Sequence, residues 1–379
     1  MTAKEICATK QMKILQPSVG ANALFSEHRK HAGQHFRSSL YDIARCGCAM
    51  SGGRKIFAAP VRHARHTERI SISSPGDFQL GAKTAVARVP EIVLPYCLDF
   101  LRRRSVYVGG VDPKGAQEAP FYYLHLRREA RSVVSVPWES GPLAAQTTRA
   151  PVFLFSPGRC GSTLLSAILS AAGLPNVSEP DFYTQATTAL GASRFNPLRP
   201  AIQKAVWAMG ADLAAALDPA QPPLVKLRAE SCRAPDLLWQ PLERRTLFMT
   251  RGFESWARST GRAFRNGPDK AVRKYLRAMT CYAWLRQYSD CHLLHYEDLL
   301  AAPVDTMAAL ARFLGRDIGA DAVTSTMKED SQEGTPLRQG ARADQPGWEK
   351  RFDATMALWN SDRVRGVRGR LGVDELRTG

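Results

Sequence analysis

From Pro151 onward the chain alternates short, continuously apolar or β-branched runs with longer runs of helical period. Val152–Ser156, Leu224–Leu227, Thr246–Thr250 and His292–Tyr296 have the length and composition of strands buried on both faces. Between them, Thr163–Ala172, Pro200–Leu217, Glu254–Phe264 and Lys270–Gln287 read as helices, with Leu299–Leu314 and a segment around Thr355–Leu371 following. Strand then helix, repeated, predicts an α/β fold: an open parallel sheet flanked by helices on both faces. In such sheets ligands bind at the carboxyl ends of the strands.

The pattern changes upstream. Phe121–Trp138 has two β-rich halves around the polar Leu126–Arg131, which predicts a hairpin or small sheet, and Gly141–Ala150 reads as a linker. Before residue 90 no amphipathic period persists. That stretch holds fourteen Lys and Arg against five Asp and Glu, with five of the eight histidines. The expected organisation is a basic arm over 1–90, disordered or loosely packed, a small β-rich segment over 91–150, and the α/β domain over 151–379.

Composition narrows the function classes. With 44% hydrophobic and 23% charged residues, the 379-residue chain reads as soluble and globular. A formal charge of +17 points to polyanions, acidic membrane surfaces or multiply charged anionic ligands, beside the plain reading of a solvated basic surface. Of eight cysteines only Cys46 and Cys48 are close together, and His28, His31 and His35 have no acidic or cysteine partners nearby, so no metal site is expected. No apolar run is long enough to span a bilayer and the first residues lack a secretory pattern, so a cytoplasmic location with reduced thiols is expected. No aromatic-basic motif accompanies the charges, which argues against a specific nucleic-acid partner.

The most informative segment is Val152–Leu174. A strand ends at Ser156, Pro157-Gly158-Arg159-Cys160-Gly161 forms a tight loop, and Ser162-Thr163 open a helix. Glycines let the backbone turn sharply, and successive N–H groups beside a helix N-terminus make an anion site. Arg159 adds a charged planar fork suited to phosphate or sulfate. The loop lacks the Gly-Lys-Ser/Thr ending of nucleotide-triphosphate loops. A second candidate is Arg251, at the end of the strand Thr246–Thr250, with Ser259 eight positions later, a little over two helical turns. If that strand is parallel to the first, Arg251 emerges on the same sheet edge as Arg159.

Residues Gly158 to Thr163 resemble the phosphosulfate loop of the PAPS-dependent sulfotransferases (PAPS, 3′-phosphoadenosine 5′-phosphosulfate), in the arginine form of the tyrosylprotein and bacterial members. Gly158 replaces the usual proline, and Cys160 a small hydroxyl residue. The resemblance implies that Gly158, Arg159, Cys160, Gly161, Ser162 and Thr163 hold the 5′-phosphosulfate. It implies that Arg251 and Ser259 hold the 3′-phosphate and that Tyr296, in Tyr296-Glu297-Asp298-Leu299, lies near the adenine. Gly347–Phe352 is similar to a basic loop that closes over the nucleotide, through Lys350 or Arg351. It covers roughly Pro151–Phe352. The implied activity is sulfuryl transfer from PAPS, without a metal, to an alcohol, phenol, amine, saccharide or peptide tyrosine.

Arg159 is the candidate for stabilising charge on the leaving phosphate. Glu179 is the candidate base. The helix after the loop carries the chain about 16 Å away, and six extended residues, spanning about 20 Å, return it beside Arg159. Tyrosylprotein-type relatives also place a catalytic glutamate at about this distance. His292 and His295 are lesser candidates, and a surface position before Pro180 is the plain reading of Glu179. Two other functions stay open: a nucleotide-triphosphate-dependent small-molecule kinase, and a non-catalytic basic protein binding nucleic acid or membrane.

Overall fold

The computed structural model describes residues 55–87, 89, 92–143, 151–191, 196–217, 221–238, 245–328 and 344–373. His28, His31, His35, Cys46 and Cys48 lie outside the described residues.

The first half is a mainly antiparallel sheet. Its elements are β1 (Ile56–Ala64), β2 (Phe78–Leu80), β3 (Thr84–Val86), β4 (Val93–Asp99), β5 (Arg104–Gly109), α1 (Pro113–Glu118), α2 (Tyr122–Glu129) and β6 (Ser132–Pro137). The strand order is β2-β1-β6-β5-β4, with β3 also on β1. Phe57 to Pro60 of β1 pair with Ser132 to Ser135 of β6, so the stretch from residue 55 belongs to this sheet rather than to a loose arm. The expected hairpin within Phe121–Trp138 is corrected too. Its first half is helix α2 and only its second half is a strand, whose partners are β1 and β5. Tyr122, Tyr123, Leu126 and Arg127 are all buried, so one helical turn repeats what looks like a β-rich run.

The second half is the expected parallel sheet. Its elements are β7 (Val152–Phe155), α3 (Ser162–Ala171), β8 (Asn176–Ser178), α4 (Asp181–Leu190), α5 (Arg199–Leu217), β9 (Leu224–Lys226), α6 (Pro235–Leu238), β10 (Arg245–Thr250), α7 (Phe253–Ala263), α8 (Pro268–Tyr288) and β11 (Asp290–His295). They are followed by α9 (Tyr296–Ala301), α10 (Pro303–Leu314), α11 (Ala320–Thr326), α12 (Trp348–Trp359) and α13 (Asp362–Leu371). The order is β11-β10-β7-β9-β8, every pair parallel. The helix expected over Leu299–Leu314 is divided at Ala302. Proline at 303 has no N–H to continue the ladder, and the residue before it is pushed out of helical geometry. The segment at Thr355–Leu371 likewise divides, at Asn360-Ser361. β8 and α4 were not anticipated.

Side chains on β7 alternate between two cores. Phe153 and Phe155 join a cluster that runs on into the antiparallel half through Leu94, Tyr96, Leu98 and Tyr107, whereas Val152 and Leu154 face α3 and α10 through Leu165, Ile168, Met307 and Leu310. Helices α4 and α5 pack on β4, which is buried along its whole length. Gln185 Oε1 accepts from Leu98 N at 2.7 Å, and Tyr107 donates to Asp212 at 2.7 Å, so polar groups cross the shared core in pairs.

Candidate functional site

The parallel register decides where the chemistry gathers. Phe155 of β7 is level with Phe248 of β10, and Leu154 with Lys226 of β9, which is itself level with Ser178 of β8. The residues that follow each strand therefore emerge side by side. They are Glu179 after β8, Arg228 after β9, the Pro157–Gly161 loop after β7, Arg251 after β10 and Tyr296 after β11. The chain turns from one side of the sheet to the other at β7, where a crevice opens. It is a cleft of about 630 Å³, lined among others by Gly158, Arg159, Gly161, Ser162, Thr163, Glu179, Arg251, Ser259 and Tyr296.

The loop turns through three left-handed residues: Gly158 at φ +74°, Arg159 at +59° and Gly161 at +84°. For the non-glycine Arg159 this conformation costs about 1–2 kcal/mol. Trp256 Nε1 holds the turn by donating to Gly158 O at 2.7 Å. Trp256 is itself fully buried and packed with Phe253 and Tyr275. Cys160 points away from the cleft: its side chain is completely buried in the core beneath the loop, and burial raises its thiol pKa. An anion contact at this position is left to the backbone.

Arg251 meets Arg159 in the cleft. Its guanidinium lies 4.5 Å from the centre of the Tyr296 ring, and its Nε donates to Ser255 Oγ at 3.0 Å. Ser259, one helical turn beyond Ser255, accepts from Arg159 Nε at 3.4 Å. Ser259 thus leans on Arg159, and Ser255, nearer the strand end, is the serine bonded to Arg251. Burial lowers the Arg159 pKa, and the neighbouring charge of Arg251 lowers it further, against an opposing pull from Tyr296. Two partly buried guanidiniums facing one cleft favour an anionic ligand there. Glu297 Oε1 accepts from Gly252 N at 3.0 Å and Ser255 Oγ at 3.1 Å, which ties the turn after β10 to the start of α9.

Lys350 is not brought into this group. It is exposed on the first turn of α12. Trp348 and Phe352 seat that helix on α7 against Arg262 and Arg258 at 5.9 and 4.6 Å. His292 stacks on Phe313 at 5.0 Å, a packed strand residue.

Glu179 does reach the cleft, and like Arg159 it is one of four described non-glycine residues with a left-handed φ, at +63°. Its two oxygens face different cations: Oε1 is 3.3 Å from Lys226 Nζ and Oε2 is 3.4 Å from Arg228 Nε. Lys226 is 2% exposed, and its Nζ also donates to Ser178 Oγ at 2.9 Å and Thr163 Oγ1 at 3.1 Å. Burial alone would lower the Arg228 pKa, but Asp181 and Glu179 hold it above the ordinary arginine value. Lys226, Arg228, Glu230, Lys270 and Lys274 also line the cleft, and the sequence reading missed them. The signal for Lys226 was present: a lysine inside an otherwise apolar buried strand, Leu224–Leu227.

Gly161 faces the Tyr296 ring so closely that an added Cβ would stand 2.3 Å from Cδ2. Gly161→Ala is expected to push the ring aside and to strain the left-handed backbone by about 1–2 kcal/mol. Affinity for the nucleotide that the sequence resemblance implies, 3′-phosphoadenosine 5′-phosphate (PAP), should then fall about tenfold or more by calorimetry; an unchanged affinity would argue against that nucleotide's binding beside Gly161.

No protein-family model and no curated protein sequence matches the chain. Among solved structures it is similar to a retinol dehydratase in complex with androsterone and the inactive cofactor PAP (15% identity, 59% of this chain and 82% of that one, TM-score 0.36). It is also similar to the sulfotransferase domain from the curacin biosynthetic pathway (13%, 59% and 98%, TM-score 0.35). A third is a Mycobacterium tuberculosis sulfotransferase (14%, 57% and 77%, TM-score 0.37).

Proposed function

We propose that this chain is a sulfotransferase that moves the sulfuryl group of PAPS to a hydroxyl or amine acceptor. The observation that carries the reading is the meeting of Arg159 and Arg251, from the ends of adjacent parallel strands, in one cleft with Ser259 and Tyr296. A ligand with two separate anionic groups on one sugar and a flat base beside them complements that arrangement. The loop N–H groups, Thr163 and Arg159 take the 5′-phosphosulfate, Arg251 with Ser255 and Ser259 takes the 3′-phosphate, and Tyr296 lies against the adenine.

Transfer requires a held donor, stabilisation of the leaving phosphate and removal of the acceptor's proton. The acceptor oxygen or nitrogen forms the new bond to sulfur as the bond from sulfur to the bridging phosphate oxygen breaks. Arg159, with Lys226 beside Thr163, offsets the charge that develops on that oxygen. Glu179 takes the acceptor's proton. No residue in this scheme calls for a metal. The five described cysteines are free thiols, which suits a reducing, cytoplasmic setting.

Calorimetric titration with PAP tests the reading without knowledge of the acceptor; micromolar binding supports it, and binding of ATP with magnesium in place of PAP would support the kinase reading instead. Turnover is then followed as PAP release from PAPS, with phenols, amines, saccharides, tyrosine peptides or water as acceptor. Glu179→Gln is expected to lower that rate and to remove the acid limb of its pH profile. An unchanged profile would exclude Glu179 as the base.

A further inference from the structure

Helix α2 and the segment before β2 belong to the antiparallel half of the fold, yet they touch the charged residues at the acceptor end of the cleft. The Phe121 ring lies 5.7 Å from Lys226 Nζ. The Tyr123 ring carries two guanidiniums, Arg228 at 4.8 Å and Arg127 at 5.4 Å. Arg127 Nη2 donates to Ser73 Oγ at 3.3 Å. Ser73 in turn donates to Asp181 Oδ2 from its N–H at 2.8 Å and its hydroxyl at 3.0 Å. Asp181 Oδ1 accepts from Arg228 Nη1 at 2.7 Å, and Arg228 Nε faces Glu179 Oε2 at 3.4 Å. The run is continuous from the antiparallel sheet to the candidate base, and Ser73, Asp181 and Tyr123 within it are all buried.

We infer that Tyr123 and Ser73 are positioning residues for sulfuryl transfer: through Arg228 they set the plane of the Glu179 carboxylate. This rests on the transferase reading above. The physical reason lies in how that carboxylate is held. One oxygen is paired with Lys226 and the other with Arg228, so the two cations together stop rotation about the last side-chain bond. Arg228 is fixed on two sides, by the Asp181 carboxylate and by the Tyr123 face. Loosening either lets the carboxylate turn toward Lys226 alone, and misplacement of a reacting group by about 1 Å can cost on the order of 10² in rate. The groups proposed to hold the 3′-phosphate and the adenine, Arg251, Ser259 and Tyr296, have no part in this run. The Tyr123 hydroxyl has no hydrogen-bond partner among the described residues, so the ring rather than the hydroxyl carries the effect.

The test compares Tyr123→Leu, Tyr123→Phe and Ser73→Ala for PAP affinity and for PAP release from PAPS, in the wild-type and Glu179→Gln backgrounds. Tyr123→Leu is expected to slow release about tenfold or more while PAP affinity stays within about twofold. Tyr123→Phe restores the rate, and Ser73→Ala shows a smaller loss of the same kind. In the Glu179→Gln background Tyr123→Leu adds no more than about twofold, because two residues acting through one group are not additive. Three results overturn the inference: an unchanged rate in Tyr123→Leu, a parallel loss of PAP affinity, or an undiminished effect in the Glu179→Gln background. If Tyr123→Leu does not fold, Ser73→Ala takes the same criteria. A wild-type protein that binds PAP but releases none from PAPS defeats the transferase reading, and this inference with it.

Discussion

Arg159→Ala should lower turnover by about 10²–10³, with a smaller loss of PAP affinity. The asymmetry follows from what the side chain does. In the resting cleft Arg159 is partly desolvated, repelled by Arg251, and bonded at a long 3.4 Å to Ser259. In the proposed transfer its full benefit comes when negative charge grows on the phosphate as the sulfuryl group leaves. An interaction stronger in the transition state than in the ground state acts on rate more than on affinity. Arg159→Lys should recover part of the loss, since it keeps the charge but not the planar fork. The measurement is the rate of PAP release at saturating PAPS, beside a calorimetric PAP titration. A rate within a few-fold of wild type in Arg159→Ala would remove the residue from the chemistry.

The second large effect concerns stability. Arg127 is fully buried, with no exposed surface, and every side of its guanidinium is used. Nε donates to Tyr96 Oη at 2.8 Å and lies 3.3 Å from Asp77 Oδ2. Nη1 donates to the carbonyl oxygens of His66 and Arg69 at 3.0 and 3.1 Å. Arg127→Ala leaves the buried Asp77 without its counter-charge and the His66–Ser73 segment without its anchor. Removing one partner of such a buried pair costs about 3–5 kcal/mol. A urea titration followed by tryptophan fluorescence should show the midpoint falling by that equivalent. A cost below about 1 kcal/mol would mean that backbone and water replace the guanidinium readily. Arg127→Lys should recover little, because a single ammonium cannot reach the same set of acceptors.

The parallel sheet and the phosphate loop were legible along the chain because their causes are local. Val152–Phe155, Leu224–Lys226 and Arg245–Thr250 are short and buried on both faces, and Gly158 and Gly161 stand where the backbone turns left-handed. Tyr296 is legible through the resemblance carried by Tyr296–Leu299, and Glu179 through the length of chain that returns from α3 to the loop. What stayed hidden depends on partners distant in sequence. β1 is a strand because β6, some seventy residues later, offers it a ladder. β8 has only three residues, too few to show a period. The polar look of Leu126–Arg131 concealed a helix because its arginine is satisfied by carbonyl groups about sixty residues upstream. The place of Lys350 also depends on distant partners: Trp348 and Phe352 seat α12 on α7, and Lys350 is exposed on its first turn.

The residues alone determined the class of fold, the tight glycine loop after β7 and the placement of two arginines just past strand ends, since glycine conformation, strand composition and charge act within a few positions. Only the tertiary structure decided which serine pairs with which arginine, that Lys226 and Arg228 flank Glu179, and that the first sheet supports the site. Those depend on which strands lie side by side and in what register, and pairing across tens of residues leaves no periodic trace in the chain.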